Sequence, residues 1–127
     1  MAAPAEAMRT AKAGDVIAIA PRTYTLTEAI AAARQGAKAK PITVRATALG
    51  AVRLKSSAVE LFKLQAGYWV FENLIIPGVC RRHKYCQHAF YIVGAAEGTV
   101  IRNNHLRDFN AAIKRNGIVI AAKRRFP

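Results

Sequence analysis

WVFENLI at residues 69–75 and VIRNNHL at residues 100–106 can be laid over each other. Each opens on apolar residues, carries a polar pair ending in asparagine (Asn73, Asn104) and returns to an apolar residue two places later. The pair forms a weak repeat of about thirty residues, and a period of that size points to a solenoid. Around it lies a succession of short β-like runs: AVRL, VELFKL, YWVFENLII, HAFYIVG, TVIRNNHLRDF and AAIKRNGIVIA. Small or polar residues separate them, with Gly50, Gly67, Gly78, Gly94, Gly98 and Gly117 among the breaks.

The physics of such runs predicts an all-β fold, a right-handed parallel β-helix. Each coil supplies short strands with one apolar face inward, successive strands hydrogen-bond about 4.8 Å apart, and no coil buries its inner face alone. Asparagine at a bend tolerates left-handed geometry and can bond to the neighbouring coil. An antiparallel sandwich would show tight hairpin dipeptides, and the only Asn-Gly is Asn116-Gly117, near the end. Towards the N-terminus, AGDVIAIAPRTYTL reads as a Gly-Asp turn, a strand through Val16 to Ala20, a stop at Pro21 and a second extended piece near Tyr24. Alanine-rich AIAAAR then predicts a short helix, with Thr25 or Thr27 as N-cap and Gly36 as its stop. KPITVRAT returns to a β pattern, alternating Ile42 and Val44 with Thr43 and Arg45. The expected organisation is a flexible N-terminus over 1–12, coils over 13–117 and a basic tail over 118–127.

The length, 127 residues, fits one domain. Over half the residues are apolar and few are aromatic, so the core must be built mainly from Val, Ile, Leu and Ala. Twenty Lys and Arg against seven Asp and Glu leave a net charge of +13, which attracts nucleic acid, acidic polysaccharide or an anionic membrane surface. Local basic clusters lie at Arg81, Arg82 and Lys84 and at Lys123, Arg124 and Arg125. No apolar run reaches the roughly 18 to 20 residues of a membrane-spanning helix. MAAPAEAMRTAKAGD lacks the apolar stretch of a signal peptide.

AGDVIAIAPRTY followed by KPITVRAT resembles the first coil of exported right-handed β-helix proteins, the polysaccharide lyases of the chondroitinase B and alginate lyase type within the pectate lyase-like superfamily. YWVFENLII and TVIRNNHLRDF resemble their later coils. The resemblance covers most of residues 10 to 117 and concerns the scaffold more than a reaction. It implies an acidic-polysaccharide ligand, lyase-like chemistry, a calcium requirement in some members and a periplasmic or extracellular location. Two departures stand out. Such proteins run to several hundred residues, so a truncated member with an open end prone to self-association is expected. Arg22 also stands where relatives commonly carry glycine before Thr-Tyr.

CRRHKYCQHAF, residues 80–90, packs two cysteines and two histidines into nine positions. Cys80, His83, Cys86 and His88 could ligate zinc, although the spacing matches no familiar zinc module. A disulfide between Cys80 and Cys86 would close a seven-residue loop, contributing about 2.4 kcal/mol in the loop-entropy model, and free thiols are the third alternative. The exported relatives favour the disulfide. His88 shares a face with Phe90 and Ile92 and reads better as a hydrogen-bonded structural histidine at a corner.

Lyases acting on uronates must neutralise a carboxylate, remove the adjacent proton and protonate the leaving oxygen, tasks for a Lys or Arg base with arginine clamps. By resemblance Lys114 in AAIKRNG is the candidate base, pointing outward if Ile113 points inward. Arg102 and His105 flank the Asn103-Asn104 bend as candidate clamp and proton carrier, set against a plain reading as solvated bend residues. Asp108, Glu72 and Asn104 are candidate calcium ligands but form no recognisable calcium loop. Arg115 would share the inward face with Ile113, costly for an unpaired charge and a sign of a frayed last coil. No nucleophile elbow, phosphate-binding glycine loop or dinucleotide fingerprint is present. Two function classes therefore stand: an acidic-polysaccharide-binding or lyase-like β-helix, and a small basic nucleic-acid-binding protein stacking bases on Tyr68, Trp69 and Phe71.

Overall fold

Alternation of apolar and polar residues in ITVRA and VRLKS turns one side of each strand inward, and the chain must wind to bring those sides together. The computed structural model describes residues 3–94, 96–115 and 118–119. A short helix, α1 (Ala3–Thr10), precedes the strands β1 (Val16–Ile19), β2 (Arg22–Leu26), β3 (Ile30–Ala32), β4 (Ile42–Ala46), β5 (Val52–Ser56) and β6 (Glu60–Leu64). There follow β7 (Trp69–Glu72), β8 (Ile75–Pro77), β9 (His88–Ile92), β10 (Val100–Arg102), β11 (His105–Arg107), β12 (Ile113–Arg115) and β13 (Ile118–Val119). They form three sheets, ordered β1-β4-β7-β10, β2-β5-β8-β11 and β3-β6-β9-β12-β13. Each sheet takes one strand from each successive coil, so the chain is a parallel β-helix; among the described strands β13 pairs antiparallel, with β12.

Inward columns run through the stack. Val44 and Phe71 from the first sheet, Leu54 and Ile76 from the second and Phe62 and Phe90 from the third are all essentially inaccessible to solvent. Phe71 lies at the centre of an aromatic cluster, its ring centroid 4.9 Å from Phe62, 5.1 Å from Phe90 and 6.0 Å from Trp69. Trp69 satisfies its one polar atom by donating Nε1–H to the Arg34 carbonyl at 2.7 Å. This is a denser aromatic core than the composition implies, because the few rings are gathered in one place.

The short helix is N-terminal, but it lies in the segment read as flexible and not in AIAAAR. Met8 and Ala11 are buried, α1 rests on β3 and β1, and Arg34 Nε donates to the Ala11 carbonyl at 3.0 Å. Glu6 in its first turn and Arg9 in its last suit the helix dipole. AIAAAR instead supplies β3, with Ile30 beside Phe62 and Ala32 beside Leu64. Sheet pairing with β6 and burial of Ile30 and Ala32 override alanine's helix propensity there.

The repeat is real but its register shifts by one: Val70, not Trp69, stands beside Val100, and Glu72 beside Arg102. In a strand that slip reverses the face of every side chain. Asn73 (φ 64°) therefore matches Asn103 (φ 56°) as the left-handed corner residue. Asn104 does a different task, accepting from Leu74 N–H at 2.9 Å and donating to the Phe71 carbonyl at 2.9 Å. Asn73 bonds across coils as expected, donating to the Ala46 carbonyl at 3.1 Å.

Arg115 does fall in an inward column, after Ala32, Leu64 and Ile92. It is half-buried at the last coil and donates Nη1–H to the Ala96 carbonyl at 3.3 Å, so the charge has a partner and the strand stays paired. Arg22 is accommodated as the first residue of β2, its guanidinium 4.8 Å above the Tyr24 ring. Residues 118 and 119, assigned to a basic tail, form β13; Asn116, Gly117 and residues 120–127 lie outside the described residues. No helix among the described residues is long and apolar enough to cross a membrane.

Candidate functional site

The outer faces of the three sheets carry the charge. On the first sheet, Arg45, Glu72 and Arg102 form an outward column over adjacent strands. Arg102 Nε donates to Glu72 Oε1 at 2.7 Å, and Arg45 Nε lies 3.6 Å from Oε2. The Glu72 side chain is only 13% exposed, enclosed by the two guanidiniums. Arg102, the candidate clamp, is therefore already paired within the protein.

The second sheet is basic outward. Arg53 and Lys55 come from β5 and His105 and Arg107 from β11, with Ile75 and Pro77 of β8 between them. Residues two apart on a strand are about 6.6 Å apart and neighbouring strands about 4.8 Å, so these cations form a grid at spacings a linear polyanion can follow. None of the outward residues on these strands is acidic; Asp108, just past β11, sits 3.8 Å from Arg107 Nε and 3.8 Å from His83 Nε2. The alternation in VRLKS announced Arg53 and Lys55 as outward residues, and Arg107 alternates with Leu106 in the same way. None was singled out from sequence, because only stacking shows that they share one face.

Lys114 does point away from the core, in an outward column with Lys63 and Tyr91. That column belongs to the third sheet. Arg102 and His105 flank the corner between the first and second sheets, so the structure joins these two and leaves Lys114 on another face.

At the corner after β8, Cys80 and Cys86 are joined in a disulfide, Cα atoms 5.7 Å apart. Their sulfurs bond to each other, which removes them from the zinc alternative. His83 is exposed near Asp108, while His88 is 5% exposed with Nδ1 2.6 Å from the Ala111 carbonyl, the structural role expected of it. The calcium candidates do not converge either. Glu72 is held by two arginines, the Asn104 amide by backbone, and Asp108 faces Arg107 and His83. Among the described residues no three histidine, cysteine, aspartate or glutamate side chains gather as a metal site. Glu72, Asn104 and Asp108 as placed do not form a donor set for a calcium ion.

Of the three aromatic residues of the nucleic-acid alternative, two are withdrawn from solvent and Tyr68 is half-buried. Trp69 and Phe71 are wholly buried. Tyr68 lies against Gly98 and donates its hydroxyl to Glu97 Oε2 at 2.7 Å. That hydrogen bond, with lesser contributions from burial and the carboxylate charge, holds the phenol above its usual pKa.

No protein-family model matches the chain, and no curated protein matches it. Among solved structures it is similar to an arginine-to-alanine mutant of the PL6-family alginate lyase AlyGC. The TM-score is 0.52 at 19% identity, over 80% of this chain. The matched region spans only 18% of that lyase's chain. The stacked sheets, the asparagine corners and this likeness agree on the fold, a parallel β-helix.

Proposed function

We propose that the protein binds acidic polysaccharide, with the polymer lying along the solenoid axis over the outer face of the second sheet. The observation that carries this reading is the grid of Arg53, Lys55, His105 and Arg107 with no outward carboxylate on its strands. Each cation would neutralise one carboxylate of the polymer and release bound counterions, so affinity falls steeply as salt rises. The lyase-like fold supports a glycan as the polyanion. The burial of Trp69 and Phe71 weighs against nucleic acid, which would lose its stacking platform. Arg102 and His105 lie on a different side from Lys114, so binding without turnover fits this arrangement better than cleavage by these three residues. The disulfide fits an oxidising compartment, the periplasm or the exterior.

The test is binding of polyuronate, a neutral glucan and duplex DNA at several salt concentrations. The wild type is expected to prefer polyuronate and to ignore the glucan. Arg53→Glu with Lys55→Glu should weaken polyuronate binding by about a hundredfold at low salt, since two attractions become repulsions. Unaltered polyuronate affinity in that double variant would remove the second sheet as the site.

Glu72 gives a prediction of opposite sign. Glu72→Gln removes the carboxylate that occupies Arg45 and Arg102, so polyanion affinity should rise by about threefold while stability falls by about 1–2 kcal/mol. Isothermal titration and urea unfolding on the same preparation read both. A loss of affinity in a folded Glu72→Gln protein would show that Glu72 does not compete with the ligand.

A further inference from the structure

The loop closed by Cys80–Cys86 springs from the ends of the second-sheet strands. Val79 N–H donates to the Ser56 carbonyl at 2.8 Å, immediately after Lys55, and Gly78 N–H donates to the Arg107 carbonyl at 2.9 Å. The loop is held at its far end as well: Asn110 N–H donates to the Cys86 carbonyl at 2.9 Å, and Cys86 is fully buried. Between the cysteines, Arg81, Arg82, His83, Lys84 and Tyr85 are all exposed, the last three as a single 3-10 turn. Tyr85 is 53% exposed, and Lys84 Nζ lies 5.3 Å from its ring centroid. An exposed aromatic ring among four basic side chains, on a covalently stapled loop, has no role in the core.

We infer that this loop is a second subsite, one that takes a carboxylated pyranose: Tyr85 stacks on the C–H face of the sugar ring while Arg81, Arg82 and Lys84 pair with its carboxylate. The inference rests on the acidic-polysaccharide reading above and adds a selectivity that a flat cationic sheet lacks. The sheet recognises regularly spaced negative charge, whereas the tyrosine ring recognises the apolar face of a sugar. The disulfide supplies pre-organisation, because a loop already ordered loses little entropy on binding. The position beside Lys55 and Arg107 lets one polymer chain reach both subsites.

The experiment compares a polyuronate with linear polyphosphate, a polyanion without rings, against wild type and three sets of substitutions. Tyr85→Ala is expected to weaken polyuronate binding by about three- to tenfold and leave polyphosphate binding unchanged, while Tyr85→Phe keeps the wild-type affinity for both. Arg81→Ala with Arg82→Ala should weaken binding of both polymers. The loop substitutions alter exposed side chains and Arg53 and Lys55 are half-buried, so unfolding curves are recorded to confirm that each variant folds. If Tyr85→Ala and the arginine pair leave polyuronate binding intact while Arg53→Glu with Lys55→Glu weakens it, the loop is not a subsite and the second-sheet reading stands. If Tyr85→Ala weakens both polymers equally, the loop acts by charge and shape and does not recognise a sugar. If the wild type fails to bind polyuronate at all, the functional reading fails and this inference goes with it.

Discussion

Phe71→Ala is expected to lower the free energy of unfolding by about 3–5 kcal/mol, enough to leave much of the protein unfolded if its stability is that of an ordinary domain. Phe71 is inaccessible to solvent and touches rings from two other coil positions, Phe62 on the third sheet and Phe90 one coil on, as well as Trp69 on its own strand. Removing the ring deletes aromatic contacts that join the first sheet to the third. Rigid strands hydrogen-bonded above and below cannot collapse into the space, so a cavity remains. Urea unfolding followed by circular dichroism measures the loss, with Val59→Ala, at a residue 55% exposed, as a control expected within about 0.5 kcal/mol of wild type. A loss below about 1 kcal/mol for Phe71→Ala would mean that the cluster repacks and is not the keystone of the core.

Gly36→Ala should cost about 2–3 kcal/mol, by a mechanism that has nothing to do with helices. A Cβ at position 36 would lie 2.3 Å from the Tyr68 carbonyl oxygen and 3.2 Å from that of Gly67, both backbone atoms of the next coil. Neither can rotate away. Tyr68 is held with φ 62°, its carbonyl accepting from Ile42 N–H at 2.9 Å and its N–H donating to the Glu97 carbonyl at 2.8 Å. Relief therefore means prising two coils apart at this corner. Gly50→Ala is the informative comparison: Gly50 has φ 81° but open space around it, so only backbone strain of about 1 kcal/mol is expected. Equal losses at the two positions would refute the close-approach argument, which thermal unfolding of both variants can decide.

Gly36 also marks where reading the chain locally goes astray. Next to an alanine-rich run it looks like a helix stop, yet its neighbours in space are residues 67 and 68 of the following coil. The same holds for AIAAAR itself, whose propensity is helical and whose structure is β3. The reverse occurs at residues 3–10, where the helix depends on burying Met8 against the first coil. The repeat shows the limit in its register: similar side chains in WVFENLI and VIRNNHL align at one offset, whereas hydrogen bonding selects the offset one residue shorter.

What the sequence determined by itself is the kind of fold and most of its strands. Period-2 alternation, β-branched runs and asparagine at the bends are local properties, and a chain with one apolar side per short strand has few ways to bury it. The cysteine pair was only partly legible: six residues of separation allowed a disulfide, zinc ligation or free thiols, and the structure joins the two sulfurs. Only the tertiary structure decided which cations share a face, because outward residues from β5 and β11 come together through stacking and are separated by two coils of chain. It likewise set Lys114 apart from Arg102 and His105, withdrew Trp69 and Phe71 into the core, and enclosed Glu72 between Arg45 and Arg102. The physical reason is common to all of these. Alternation along a strand says which way a side chain points, while the register between coils says what stands beside it, and that register is chosen by backbone hydrogen bonds and core packing over the whole stack.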